Sequence, residues 1–179
     1  MRVKKLSKGL VIAISLGAVL LGITAYKGVA AYGVIAPATQ TPPPVSVKLL
    51  APVAQFDEIN AKAKSDDWQA RIKTKEVSDL HVVEVTIQPG ATIGWHRHVG
   101  PSFVIVKSGT ATFYEGDDPT CTPHVVLAPP VGTGLFEPGG DVHIVRNEGS
   151  EPLVNVVVQL LPAGAPRLIP EPSPGNCPF

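Results

Sequence analysis

The chain has 179 residues, of which 44% are hydrophobic and 17% are charged, with 17 Gly and 19 Pro. This length fits one folded domain with additional segments, and so many Gly and Pro argue against a helical bundle because they interrupt helices. Residues 1–40 hold five of the fifteen basic residues and no acid, so the rest of the chain is mildly acidic, which argues against binding DNA or RNA.

Residues 1–31 form the first predicted element, an export segment. Basic residues up to Lys8 precede an uncharged, mostly apolar run at residues 9–26, and small residues follow at 28–31. This order is typical of a signal peptide, but the run is also just long enough for a membrane anchor. Either alternative places the body of the protein in the periplasm or the extracellular space, with the basic end inside.

A Pro-rich linker and N-terminal extension, residues 32–66, precede a predicted domain at residues 67–165. The sequence of Trp68–Thr74 alternates apolar and polar residues with the period of a half-buried strand. Similar β-rich runs, separated by turns that contain Gly or Pro, occur at Val45–Leu50, Leu80–Ile87, Ser102–Val106, Thr110–Tyr114, Val125–Leu127, Val142–Val145 and Leu153–Leu160. Many short strands at close spacing predict an antiparallel β-sandwich or barrel.

Three of the five histidines are candidates for one site. His96 and His98 flank Arg97, and alternate residues of a strand point to the same face, so two imidazoles can lie side by side. His143, 45 residues further along the chain, would add a third imidazole from another strand. Three neutral imidazoles suit a divalent transition metal (Fe, Zn, Ni, Cu or Mn) and leave positions open for water or substrate.

Cys121 and Cys177 are the only cysteines, and they lie too far apart for a local redox or zinc motif. Outside the cytoplasm we expect a disulfide between them, which would attach the Pro-rich tail, residues 166–179, to the domain. Two unpaired thiols are the alternative.

The segment Gly90–Ser102, followed by Gly109, resembles the first motif of the cupin family, G-x5-H-x-H-x3,4-E-x6-G. The segment Gly132–Asn147 matches the second cupin motif, G-x5-P-x-G-x2-H-x3-N, at every position. The sequences around Cys121 and Cys177 also resemble those of small exported bacterial cupin-domain proteins of undefined activity, and that resemblance pairs the two cysteines.

The resemblance implies an all-β, single-domain jelly-roll barrel of the cupin type behind the export segment. It also implies metal binding by His96, His98 and His143. One position departs from the pattern, because Ser102 stands where the family usually has its Glu ligand. An all-imidazole site would keep the full charge of a divalent metal and favour anionic ligands, and the Ser102 hydroxyl could hydrogen-bond a metal-bound water.

Some cupin-type dioxygenases have a three-His iron site, so the resemblance implies a metal-dependent oxidoreductase of dioxygenase type if the protein is an enzyme. Two alternatives stay open: a non-catalytic module that binds a small molecule or a metal, and a metal-free barrel. Cupins commonly pair, which makes a homodimer an expectation. The sequence contains no GxSxG elbow, no glycine-rich phosphate loop and no HExxH motif.

Overall fold

The strands of the protein follow the alternating apolar runs of the sequence. A computed structural model describes residues 44–128 and 134–179, and within these ranges it contains β-strands and no α-helix. The strands are β1 (Val45–Leu49), β2 (Ala54–Phe56), β3 (Asn60–Ser65), β4 (Trp68–Lys73), β5 (Ser78–Ile87), β6 (His96–Arg97), β7 (Ser102–Ser108), β8 (Thr110–Glu115), β9 (His124–Leu127), β10 (Leu135–Glu137), β11 (His143–Arg146), β12 (Leu153–Pro162) and β13 (Ile169–Pro170).

Three predicted features lie wholly or partly outside the described residues. The first is the export segment, and with it the choice between a signal peptide and an anchor. The second is the beginning of the Pro-rich linker, residues 32–43, and the third is Gly132, the first residue of the second motif. Across residues 44–128 and 134–179, no helix is long and apolar enough to cross a membrane.

Two antiparallel sheets enclose the core. The larger sheet has the strand order β1-β5-β12-β7-β10, with β2 also paired to β5, and the smaller sheet has the order β13-β6-β11-β8-β9. β1 and β2 come from the N-terminal extension of residues 32–66, and both run antiparallel to β5. The prediction of an all-β jelly-roll barrel is therefore confirmed.

The apolar core lies between the inner faces of the two sheets. Every second side chain is buried along β12 and along β5 from Val83 to Ile87, because successive residues of a strand point to opposite faces. Val83 and Ile87 of β5 are paired with Val157 and Leu153 of β12, and Phe113 of the smaller sheet is 1% exposed within the same cluster. Burial of each such side chain contributes about 1.5–3 kcal/mol, so this layer holds the two sheets together.

A tight turn joins β7 of the larger sheet to β8 of the smaller one. Gly109 in this turn has a φ of +77°, and a Cβ at this position would lie 2.7 Å from the carbonyl oxygen of Pro152. A side chain there would therefore require both a strained conformation and a shift of the backbone. This close approach to the start of β12 explains why the last position of the first motif is a glycine.

The hairpin formed by β3 and β4 departs from the sequence-based prediction. Trp68 and Ile72 are expected on a half-buried face, but their exposed fractions are 62% and 50%. The alternation is present, yet within residues 44–128 and 134–179 β4 pairs only with β3, in a separate two-stranded sheet. The prediction of burial is wrong because periodicity identifies an apolar face but does not supply a second layer to cover it.

The C-terminal tail, residues 166–179, lies along the smaller sheet. Its strand β13 pairs with β6, and Arg97 Nε donates to a Glu171 carboxylate oxygen at 2.6 Å. Further along, a disulfide joins Cys121 to Cys177. The expected pairing of the two cysteines is present, and it fixes the tail beside the strand that carries the first histidine of the predicted site.

Candidate metal centre

Three buried histidines meet between the sheets. His96 lies in β6, His98 follows that strand, and His143 begins β11, directly opposite His96. Their exposed fractions are 2%, 7% and 4%, and the ring centroids are 4.9, 4.4 and 5.2 Å apart. One nitrogen atom from each ring lies within 4.8 Å of the other two. The structure thus brings together the three imidazoles that the sequence singles out as metal ligands.

Backbone carbonyl groups fix the orientation of all three rings. The oxygen atoms that contact Nδ1 belong to Gly94 (2.8 Å, for His96), Arg167 (2.7 Å, for His98) and Asp141 (3.0 Å, for His143). A carbonyl oxygen only accepts hydrogen bonds, so each Nδ1 carries a proton and each neutral ring has its free lone pair on Nε2.

Among the described residues, Nε2 of His143 is buried and forms no hydrogen bond of good geometry, although a Glu137 carboxylate oxygen lies 3.3 Å away. A metal-binding histidine typically donates its other ring N–H to a carbonyl or carboxylate and offers the remaining nitrogen to the metal. All three rings meet this requirement, so the residues fit a divalent transition metal.

A polar network behind His98 contains Ser102. Gln159 is fully buried, and its Nε2 donates to Ser102 Oγ at 3.0 Å and to the Arg167 carbonyl oxygen at 3.3 Å. In return, Arg167 Nε donates to Gln159 Oε1 at 2.8 Å. Ser102 is itself fully buried. The structure therefore places Ser102 among the groups that hold the tail against His98.

Glu137 faces the histidines, although neither sequence motif includes a carboxylate at its position. It ends β10 directly opposite Ser102 of β7, and its side chain is 11% exposed. Its Oε2 lies 3.2 Å from His98 Nε2, and its Oε1 lies 3.3 Å from His143 Nε2. A carboxylate from the strand next to Ser102 therefore borders the three histidines.

Burial and close charges shift the pKa values of this cluster. Burial, aided by the neighbouring imidazoles, lowers the pKa of His96 to about 4. Burial acts to raise the pKa of the Glu137 carboxyl, but the facing imidazoles outweigh it and bring that pKa to about 2. Burial also acts to lower the pKa of His143, whereas the Glu137 carboxylate outweighs it and raises that pKa. At neutral pH the carboxylate is therefore ionised and His96 is neutral.

The depressed pKa of His96 predicts a pH-dependent stability of the metal-free protein. The unfolded chain binds a proton at this imidazole below about pH 6.5, whereas the folded chain does so only near pH 4. The contribution of His96 to the free energy of unfolding is thus fully present above pH 6.5 and is lost as the pH falls to 4. The expected loss is about 3 kcal/mol.

Urea denaturation of chelator-treated protein at several pH values measures this loss. In a His96→Asn variant the decrease between pH 6.5 and 4 should be smaller by that amount, and a His124→Asn variant controls for removal of an exposed histidine. An identical pH dependence in the native protein and the His96→Asn variant would contradict the prediction.

Two cavities adjoin the histidines. One has a volume of about 100 Å³ and is lined by apolar side chains, among them Phe113 and several valines, and by His96, His98, Glu137, Gln159 and Arg167. The other has a volume of about 270 Å³ and is lined by Glu115, Asp117, Glu137, Asp141 and His143, with Phe113 and others. Glu137 lines both, so it stands between a small, mainly apolar cavity and an acidic one.

Two antiparallel sheets with three histidines gathered between them define a β-barrel protein with a candidate metal centre. The model of the family described as "Cupin domain" matches residues 83–159, a range that contains both motifs and all three histidines. The chain therefore contains a cupin domain, and the resemblance found in the motifs is confirmed.

Comparison with solved structures gives similar proteins of low sequence identity. A cupin superfamily protein from Desulfitobacterium hafniense is 14% identical with a TM-score of 0.43, covering 70% of this chain and 82% of its own. The cupin domain of an XRE family transcriptional regulator from Enterobacter cloacae is 19% identical with a TM-score of 0.41, covering 70% and 100%. A protein with a double-stranded β-helix domain from Klebsiella pneumoniae is 24% identical with a TM-score of 0.41, covering 64% and 86%. No curated protein matches the sequence.

Proposed function

We propose that this protein is an exported cupin that binds a divalent transition metal through Nε2 of His96, His98 and His143. We further propose that it acts on a small molecule as an oxidoreductase of dioxygenase type. The observation that carries the proposal is the common state of the three rings. Each ring is buried, and each donates a hydrogen bond from Nδ1 to a backbone carbonyl oxygen. One nitrogen atom from each ring lies within 4.8 Å of the other two.

When bound, the metal would supply Lewis-acid chemistry and, if it is iron or copper, redox chemistry to a substrate with an oxygen or sulfur donor. The imidazoles would serve as ligands and not as acid–base groups, because each Nδ1–H is hydrogen-bonded to a backbone carbonyl oxygen and each Nε2 would bind the metal.

The cavity beside the histidines limits the substrate. Its volume of about 100 Å³ is below the roughly 300–1,000 Å³ of typical ligand pockets, so it favours a small molecule. The apolar lining, with Phe113 at its wall, excludes water, and Arg167 contributes a positive charge. These features favour a small substrate with one anionic group.

The disulfide supports the proposed export. Disulfides persist in oxidising compartments and are rare in the cytoplasm, and Cys121 and Cys177 are bonded in this fold. This supports a periplasmic or extracellular location, with a cleaved signal peptide or an uncleaved anchor as the two routes to it.

Elemental analysis of the full chain, purified without chelator, tests the metal site. Near-stoichiometric iron, copper, nickel, zinc or manganese is expected in the native protein, and its loss is expected in a His96→Ala/His98→Ala variant. His124→Ala, which removes an exposed histidine, should retain the metal. Absence of metal from the native protein, even after reloading with each ion, would reject the proposal.

The acidic cavity favours a second candidate, a module that binds metal without turnover. Its carboxylates create a negative potential that attracts cations, which suits capture of an ion as well as catalysis. Oxygen consumption by the metal-loaded protein with a panel of small carboxylates and thiols separates the two candidates. Uptake that is lost in the His96→Ala/His98→Ala variant supports the oxidoreductase, whereas stable metal binding without uptake supports the module.

A further inference from the structure

We propose that Glu137 is the fourth protein ligand of the metal, and that it supplies from β10 the carboxylate that the family motif places at the position of Ser102. This inference rests on the proposed three-histidine metal site. It assigns the missing ligand to a different strand.

The position of Glu137 follows from strand pairing. β10 and β7 are antiparallel neighbours, and Glu137 is the residue directly opposite Ser102. Residues paired in this way have Cβ atoms about 4.5–5.5 Å apart, so a long side chain at one position reaches the space in front of the other. The short Ser102 side chain hydrogen-bonds to Gln159 and leaves this space to Glu137.

The contacts of the Glu137 carboxylate point to a shared cation. Its two oxygen atoms lie 3.2 and 3.3 Å from Nε2 of His98 and His143. The Nδ1 atoms of these rings already donate to backbone carbonyl groups, so only Nε2 of each ring faces the carboxylate. Such contacts are stabilised either by a proton on Nε2 or by a cation that both groups bind, and one divalent cation can serve both rings and the carboxylate at once.

Burial makes this arrangement specific. Glu137 is 11% exposed on its side chain, and a buried carboxylate carries a large desolvation cost unless a charge or metal compensates it. Arg167, the arginine that lines the smaller cavity, donates a hydrogen bond from Nε to Gln159. A donor set of three imidazole nitrogens and one carboxylate oxygen suits first-row transition metals and reduces the net charge of a divalent site by one.

Titration of metal-free protein with Co²⁺ and Zn²⁺ tests the assignment, with a Glu137→Gln variant that keeps the side-chain volume and removes the charge. We expect the affinity to fall about 10–100-fold, and the visible absorption of the Co²⁺ form to shift because an anionic oxygen ligand is lost. Glu58→Gln is the matched control, since this carboxylate is exposed and lies outside both cavities that adjoin the histidines. It should keep the native spectrum and an affinity within about twofold of the native value.

A second variant distinguishes ligation from a folding defect. Glu137→Ala opens space for a small carboxylate, so added formate should raise the Co²⁺ affinity of this variant and restore the native spectrum, with no effect on the native protein. Equal affinities and spectra for the native protein and Glu137→Gln would overturn the assignment while leaving the three-histidine site intact. A native protein that binds neither ion would overturn both.

Discussion

Removal of the Cys121–Cys177 disulfide is expected to lower the free energy of unfolding by about 4 kcal/mol. The bond closes a loop between residues 56 positions apart, and in the chain-entropy model a loop of this length restricts the unfolded state by roughly that amount. Denaturation of the Cys121→Ser/Cys177→Ser variant, compared with the native protein, measures the loss. Native protein treated with a reductant should give the same result.

The same change should weaken metal binding about tenfold, because the tail forms part of the site. The carbonyl oxygen of Arg167 accepts the Nδ1 proton of His98, and loss of such an orienting partner typically costs 10–100-fold in metal affinity. Zn²⁺ competition against a chelator checks this expectation. Reduced stability with unchanged affinity would show that the tail stays in place without the disulfide.

Replacement of Asn147 by Ala is expected to lower the free energy of unfolding by about 3 kcal/mol without a direct effect on the metal ligands. Asn147 is 1% exposed. Its Nδ2 donates to the carbonyl oxygens of Ile87 and Glu151, both at 2.8 Å, and its Oδ1 accepts from Gly149 N at 3.0 Å. A buried backbone group that loses its partner costs about 1–3 kcal/mol.

Two further variants separate hydrogen bonding from packing at this position. Asn147→Asp keeps the volume and removes both donated hydrogen bonds, so most of the loss should remain. Asn60→Ala, on an exposed strand, should change the free energy of unfolding by less than about 0.5 kcal/mol. A stability of Asn147→Asp close to the native value would contradict the role assigned to the donated bonds.

The strands and the pairing of His96 with His98 could be predicted because both depend on short-range periodicity. The i and i+2 spacing of His96 and His98 places two rings on one face, and the second motif supplies His143. The burial of Trp68 could not be predicted, since alternation is a property of one strand whereas burial depends on what covers it. Its exposed fraction of 62% reflects the absence of a covering layer in the described part of the chain.

The position of Glu137 beside the histidines could not be predicted for a different reason. Its relation to the site depends on register with Ser102, 35 residues earlier, and no local pattern in either strand reveals that register. A usable signal was present, because Glu137 directly precedes Pro138 of the second motif while the first motif lacks its acid. The hydrogen bond from His98 to the Arg167 carbonyl group cannot be recognised in the sequence, since every residue has the same backbone acceptor.

The position of the Arg167 carbonyl group in the chain affects the order in which the parts of the histidine site are synthesised and folded. His98 obtains its orienting acceptor from residue 167 of a chain of 179, and the segment that carries this residue is secured by the bond at Cys177. During synthesis His96 and His98 therefore emerge before the carbonyl group that orients His98. If these histidines bind a metal as proposed, the site would be completed in the compartment where the disulfide forms, so the ions present there, as well as the affinity of the site, would determine which metal is bound.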